Sequence, residues 1–96
     1  MSRYRLAPAA KQDLQDIFAY IAADSVRAAD AMLNRLLDKL DLVAEYPLIG
    51  HLRPDIAVGT RVLVEGSYLI IYEPDDGGVL VAAVVHAMTN PKTWLD

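Results

Sequence analysis

Few side chains in this chain could do chemistry, and their spacing narrows the choice further. The two histidines, His51 and His86, stand far apart, and cysteine is absent. That excludes a thiol nucleophile, a disulfide framework and a cysteine-ligated zinc site. His51 has no second ligand nearby in sequence. Asp75 and Asp76 are adjacent acids inside the string Pro74-Asp75-Asp76-Gly77-Gly78. A cation there would need more oxygen donors converging on it, so they read as turn residues. No glycine-rich phosphate loop, no Ser-His-Asp order and no zinc-ligand spacing occurs. No catalytic constellation, metal site or cofactor is expected.

What remains is a set of basic and aromatic groups suited to holding a partner: Arg53, Arg61, His86, Lys92 and Trp94. Each also has an ordinary structural role. His86 at a strand end can bond backbone at a sheet corner. Arg61 can snorkel off a sheet edge or pair with Glu65 or Asp55. Arg53 beside Pro54 reads as a solvated loop charge, and Lys92 as a solvated tail charge. Trp94 is the only tryptophan. It either caps the core or anchors a partner, a role in which tryptophan is enriched. The formal net charge is −4, so any engagement of nucleic acid must come from a local patch and not from a general positive field.

These groups must be carried by a small fold. Ninety-six residues allow one domain, taken as 1–96, with one modest core. Hydrophobic residues at 54% and charged residues at 23% are ordinary for a globular chain and argue against disorder. The longest apolar run, residues 79–85, is far shorter than the roughly 20 residues of a membrane span. The first residues lead into no signal-peptide core. A cytoplasmic protein is expected.

Tyr4 and Leu6 alternate with Arg3 and Arg5 as in a brief edge strand. Pro8 suits a first helical position, and Leu14, Ile17, Phe18 and Ile21 form one helical stripe, which predicts a helix over residues 8–23. Asp24-Ser25 breaks it, and Ser25 is the expected N-cap of a second helix reaching about Glu45. That helix carries a wide apolar face built from Ala29, Met32, Leu33, Leu36, Leu37, Leu40, Val43 and Ala44, as expected of a helix wedged between another helix and a sheet. The short break forces an antiparallel helical hairpin. Residues 47–60, with two prolines and two glycines, read as a loop. Three strands are predicted at 61–65, 68–73 and 79–86, joined by a Gly66-Ser67 hairpin turn and a longer 74–78 loop. The class is α+β: a short N-terminal strand and a helical hairpin on a small, mostly antiparallel sheet. Strands 68–73 and 79–86 do not alternate, so both sheet faces are apolar while one hairpin can cover only one. The second face is expected to be covered by the tail, a second subunit or a partner chain.

Specific strings then sharpen the picture. Residues 6–17, Leu-Ala-Pro-Ala-Ala-Lys-Gln-Asp-Leu-Gln-Asp-Ile, resemble the opening of the ParE toxins, with Ala7 where that family usually carries serine or threonine. Ala22-Ala23-Asp24-Ser25 followed by Ala28-Ala29-Asp30 resembles their helix break. Residues 42–50, Leu-Val-Ala-Glu-Tyr-Pro-Leu-Ile-Gly, resemble their loop after the second helix. Tyr68-Leu69-Ile70-Ile71-Tyr72 resembles their tyrosine-bracketed strand, and Val84-Val85-His86 the end of their last strand. The resemblance spans nearly the whole chain in order.

It implies the RelE/ParE-like fold and the toxin half of a bacterial type II toxin–antitoxin module. The implied partner is a ParD-like antitoxin in a hetero-oligomer, with Leu14, Phe18, Tyr68, Tyr72 and Val81 as candidate contacts. The implied target is DNA gyrase, reached by binding, without sequence-specific nucleic-acid contact and without membrane association. Two alternatives stay open: a RelE-like ribosome-dependent mRNA endonuclease, and an inactive relative that only binds antitoxin. Against the endonuclease, Leu69 and Met88 stand where such enzymes carry arginines, and strand 61–65 holds one basic residue.

Overall fold

The computed structural model describes residues 3–88. In chain order the elements are β1 (Tyr4–Leu6), α1 (Pro8–Ala22), α2 (Val26–Glu45), β2 (His51–Leu52), β3 (Arg61–Glu65), β4 (Tyr68–Asp75) and β5 (Gly78–His86). The five strands form one sheet in the order β1-β5-β4-β3-β2. Only the β1–β5 pair is parallel. The α+β class, the helical hairpin and the mostly antiparallel sheet stand as expected.

The helix boundaries follow local chemistry. Pro8 opens α1 behind Ala7, which offers no side-chain cap; proline's missing N–H is one of the donors a helix start leaves free anyway. Ser25 caps α2, its hydroxyl accepting from the Ala28 amide at 3.1 Å, which satisfies one orphan donor of the first turn. Leu36, Leu40 and Val43 on α2 and Ala10 and Leu14 on α1 are buried against Tyr68, Ile70, Tyr72, Val79, Val81 and Val84 of the sheet.

The register of β5 contains one irregularity. Ile71 pairs with Ala83 while Tyr72 pairs with Val81, so Ala82 is an extra residue. Such a bulge reverses which side chains face which side. Here it lets Val79, Val81 and Val84 all join the helix-side core, while Ala83 and Val85 turn to the other face with Ile71 and Val62. The non-alternating apolar run is thereby shared between both faces.

Two elements differ from expectation. Residues 47–60 are not all loop, since His51 and Leu52 pair with Val62 and Arg61. Two residues carry no periodic signal, so nothing local announces the strand. The 74–78 connection is also tighter than a long loop. Pairing continues to Asp75↔Gly78, with Gly77 in the turn at a φ of 83°. Pro74 is tolerated because the β3–β4 ladder ends at Arg61↔Tyr72, leaving that edge of β4 open beyond it.

Between β2 and β3, residues 53–60 fold back over the face away from the helices. Buried Ile56 packs there with Val62, Ile71 and Ala83. The second apolar face is therefore partly covered by the protein's own loop.

A partly buried polar contact ties α1 to the sheet. The β1–β5 ladder ends at Leu6↔Val81, and further along β5 the Val84 amide donates to the Asp13 carboxylate of α1 at 2.9 Å. Partial burial, helped by the nearby charge of Asp16, pushes the Asp13 carboxyl above the ordinary carboxylate range, and the Val84 amide pulls part of that back. A raised folded-state value means the folded protein holds this proton more tightly than the unfolded chain. The resulting stabilisation is complete below the unfolded carboxylate value and is lost as pH rises through the raised one. Asp13→Asn keeps an oxygen facing Val84 but cannot ionise. The stability difference, wild type minus Asp13→Asn, should therefore grow in favour of wild type on acidification through the carboxylate range, as read by urea denaturation at several pH values. Asp13→Ala orphans the amide and should cost about 1–3 kcal/mol.

Candidate functional site

The structure divides the proposed target-contacting residues. Arg53 lies in the loop after β2 and holds Asp55 through two hydrogen bonds, Nε to Oδ1 at 2.9 Å and Nη2 to Oδ2 at 2.8 Å. Arg61 opens β3 and pairs across to Tyr72. His86 ends β5 opposite Tyr68, which in turn faces Glu65. Arg61 and His86 thus sit at opposite ends of the sheet and two strands apart, and no single patch joins them. Lys92 and Trp94 lie outside the described residues.

His86 has the sheet-corner role. Its Nδ1 accepts from the Met88 amide at 3.1 Å, while its ring meets Tyr68 edge to face at 5.5 Å between centroids and 82° between planes. The adjacent Ala87 amide donates to the Ser67 carbonyl. These contacts fasten the end of β5 to the β3–β4 turn. His86 is exposed as a residue.

Arg61 pairs with neither Glu65 nor Asp55. Its Nη1 donates to the Leu48 carbonyl at 3.2 Å and the Gly50 carbonyl at 2.8 Å, and Glu65 instead lies 3.6 Å from Arg35 on α2. Tyr72 completes the arrangement from beneath. Its hydroxyl donates to the Pro47 carbonyl and accepts from the Gly50 amide, both at 2.8 Å. Burial pushes this hydroxyl's pKa up, while the Gly50 amide and the nearby Arg61 charge pull part of that back. Gly50 is required here, because a Cβ would stand 2.6 Å from the Tyr72 hydroxyl and 2.8 Å from its ring. Four hydrogen bonds therefore hold residues 47–50 in one conformation.

That held loop displays apolar surface. Tyr46, Leu48, Ile49 and Leu52 are all exposed, Leu48 by 68%, and residues 45–49 line a shallow cleft. The sequence signal for it was the run Tyr46-Pro47-Leu48-Ile49-Gly50, apolar residues in a stretch otherwise read only as a loop. A second apolar groove runs along the outside of the helical hairpin, lined by Leu14, Gln15, Phe18 and Leu33.

Of the candidate antitoxin contacts, Phe18 offers the most surface and Leu14 forms the floor of that groove. Tyr68 is nearly buried under the hairpin. Tyr72 and Val81 have no exposed surface at all; they build the core under any contact and cannot make one in this state. Leu69, standing where a ribonuclease would carry arginine, packs on the face away from the helices, and Met88 is exposed just after β5. Among the described residues, no group of three or more histidines, aspartates or glutamates is arranged to hold a metal ion, and no helix is long and apolar enough to cross a membrane.

This fold, a helical hairpin on a mixed five-stranded sheet, is shared with solved structures of toxin–antitoxin systems. The sequence profile described as the ParE toxin of the type II toxin–antitoxin system parDE matches residues 4–91, and the chain belongs to that family. Toxin ParE1 of Caulobacter vibrioides is 29% identical, with 99% of each chain covered. Toxin ParE1 of Mycobacterium tuberculosis is 33% identical, over 88% of this chain and 89% of that one. Among solved structures, the chromosomal ParDE system from P. aeruginosa matches with a TM-score of 0.72 at 15% identity, covering 90% of this chain and 96% of its own. The toxin–antitoxin complex RelBE2 from Mycobacterium tuberculosis matches at 0.58 and 24%, covering 88% and 96%. Both show the same fold.

The Tyr72 knot yields a quantitative expectation. Tyr72→Phe leaves the ring packed but strands the Gly50 amide and Pro47 carbonyl, so it should lower unfolding stability by about 1–3 kcal/mol. Chemical denaturation measures the loss. Amide exchange at Gly50 should accelerate well beyond that in α2.

Proposed function

We propose that this ParE-family toxin is neutralised by a ParD-like antitoxin and acts on DNA gyrase by binding, without cutting RNA. The observation that carries the binding mechanism is the engagement of Arg61. RNA cleavage without a metal needs cationic groups converging on a phosphate and a group to protonate the leaving oxygen. Arg61, the one basic residue of β3, spends its guanidinium on two backbone carbonyls and lies at the far end of the sheet from His86. The family to which the chain belongs, and relatives whose names call them ParE1 toxins, support an antitoxin partner. The groove of Leu14, Phe18 and Leu33 is the fitting seat for an amphipathic helix of that partner, laid in by its apolar face.

Two measurements test this reading. Purified protein should inhibit gyrase supercoiling or trap its cleaved complex, and should leave message ends unchanged when added to translating ribosomes. Codon-phased cuts in messages, lost in Arg61→Ala, would overturn it in favour of the endonuclease. Activity in neither assay, with antitoxin binding intact, would leave an inactive relative.

The groove has its own test. Phe18 is half-buried at the surface, so Phe18→Asp should change thermal stability little. It should weaken binding of a ParD-like antitoxin by about tenfold or more, as expected for a central aromatic anchor, measured by calorimetry or competition.

A further inference from the structure

The exposed apolar residues around β2 share one side of the sheet. Leu52 pairs directly across from Arg61, so the two side chains lie on the same face. From that face Arg61 bonds the carbonyls of Leu48 and Gly50, which brings Leu52 beside the loop that displays Tyr46, Leu48 and Ile49. These four residues are between 46% and 68% exposed. Taken at roughly 200 Å² for a large side chain, they present about 400 Å² of mostly apolar surface. Patches of that size on monomers are often functional. Tyr72 and Arg61 already hold residues 47–50 in place, so docking there loses little conformational freedom. The backbone of this border has its own pattern. The Arg53 amide bonds the Thr60 carbonyl, so Leu52, one residue earlier, turns its amide and carbonyl away from β3.

We propose that two copies of the chain meet through this surface, about a two-fold axis at Leu52. The inference concerns the isolated chain and holds whatever the toxin acts on. Three observations select a second copy as the occupant. The first is the backbone. A single outward residue between inward ones is matched by a strand of the same pattern, and a two-fold axis supplies one. Leu52 then lies opposite Leu52 of the other copy, each donating to and accepting from the other. One such pair does not extend a sheet; it fixes the register in which the side chains meet. The second is area. A standard interface takes about 800 Å² from each partner, about 60% of it apolar, and this patch supplies most of that apolar share. The third is charge. A two-fold contact sets each charge near its axis against its own copy. Here Arg53 is paired with Asp55 and Arg61 is turned onto carbonyls, so both cations beside Leu52 are already engaged. The β1 border differs. With Tyr4 and Leu6 facing out, its fullest two-fold pairing would set Arg5 directly against Arg5 of the other copy, which is unfavourable, so self-association stops at the dimer.

Analytical ultracentrifugation of the full-length chain without antitoxin should show a monomer–dimer equilibrium in the micromolar range. Leu48→Asp should raise the dimer dissociation constant by about tenfold or more, with far-ultraviolet circular dichroism unchanged. Phe18→Asp, in the separate groove along the hairpin, should leave the equilibrium unmoved. The chain contains no cysteine, so Leu52→Cys offers an independent check. Side chains that meet across the axis stand within disulfide reach, and mild oxidation should yield a covalent dimer. Val58→Cys, at an exposed site in the 53–60 loop, should crosslink far less. A monomer throughout the micromolar range, a dimer indifferent to Leu48→Asp, or one disrupted by Phe18→Asp would overturn the proposal. So would a dimer that depends on Leu48 yet never crosslinks through Leu52→Cys, or assembly that grows past two copies. A monomeric chain whose capture of a ParD-like antitoxin weakens in Leu48→Asp would instead assign the surface to that partner.

Discussion

One extra residue in β5 sets which side chains the whole sheet can bury. A strand shows alternate residues to opposite faces, so a continuous apolar run cannot serve a single core. The bulge at Ala82 reverses the alternation midway. Val79 and Val81 before it, and Val84 after it, all meet the helical hairpin. Ala83 and Val85 are released to the opposite face, where they meet Ile71 and Val62. Without the bulge, Val84 and Ala83 would exchange sides. The Val84 amide would then be misaligned for Asp13.

Much of this architecture is legible in the residues. The helix stripe of Leu14, Ile17, Phe18 and Ile21 and the serine cap at Ser25 act locally, so periodicity and capping rules find them. The three strands of the meander also show through their composition. What stays hidden depends on distant partners. β2 exists because His51 and Leu52 pair with Val62 and Arg61, eleven and nine positions later, and because Tyr72 and Arg61 reach the loop before it from across the sheet. No pattern within residues 47–60 announces that. Ile56 likewise sits beside Ala57 and Val58 in its loop, and nothing local marks it as the one that packs on Val62, Ile71 and Ala83.

The candidate site was legible in part for the same reason. Phe18 and Leu14 belong to a helix stripe, and the structure places them in one groove. Tyr72 and Val81 carry an apolar signal that does not distinguish a partner-facing residue from a core one, and both are core. Arg61 looked like a free cation or an ion-pair member. Its actual partners are carbonyl oxygens, which no residue-type argument can name. His86 was readable as a sheet-corner residue because its position at the end of a strand leaves neighbouring backbone within reach.

The two borders of the sheet are finished differently. On the β2 side, the Arg53 amide points inward to Thr60, so by antiparallel alternation only Leu52 turns its backbone outward. The next outward residue, Gly50, already gives its amide to Tyr72 and its carbonyl to Arg61. On the β1 side, Arg3 and Ala7 bond β5, which leaves the amides and carbonyls of Tyr4 and Leu6 facing out. A sheet with one blunted and one open border is a terminus, not a repeat unit. Among the described residues only the β1 border offers more than one outward-facing residue, so edge-to-edge pairing through it would join two molecules and leave no second border of that kind to extend the array.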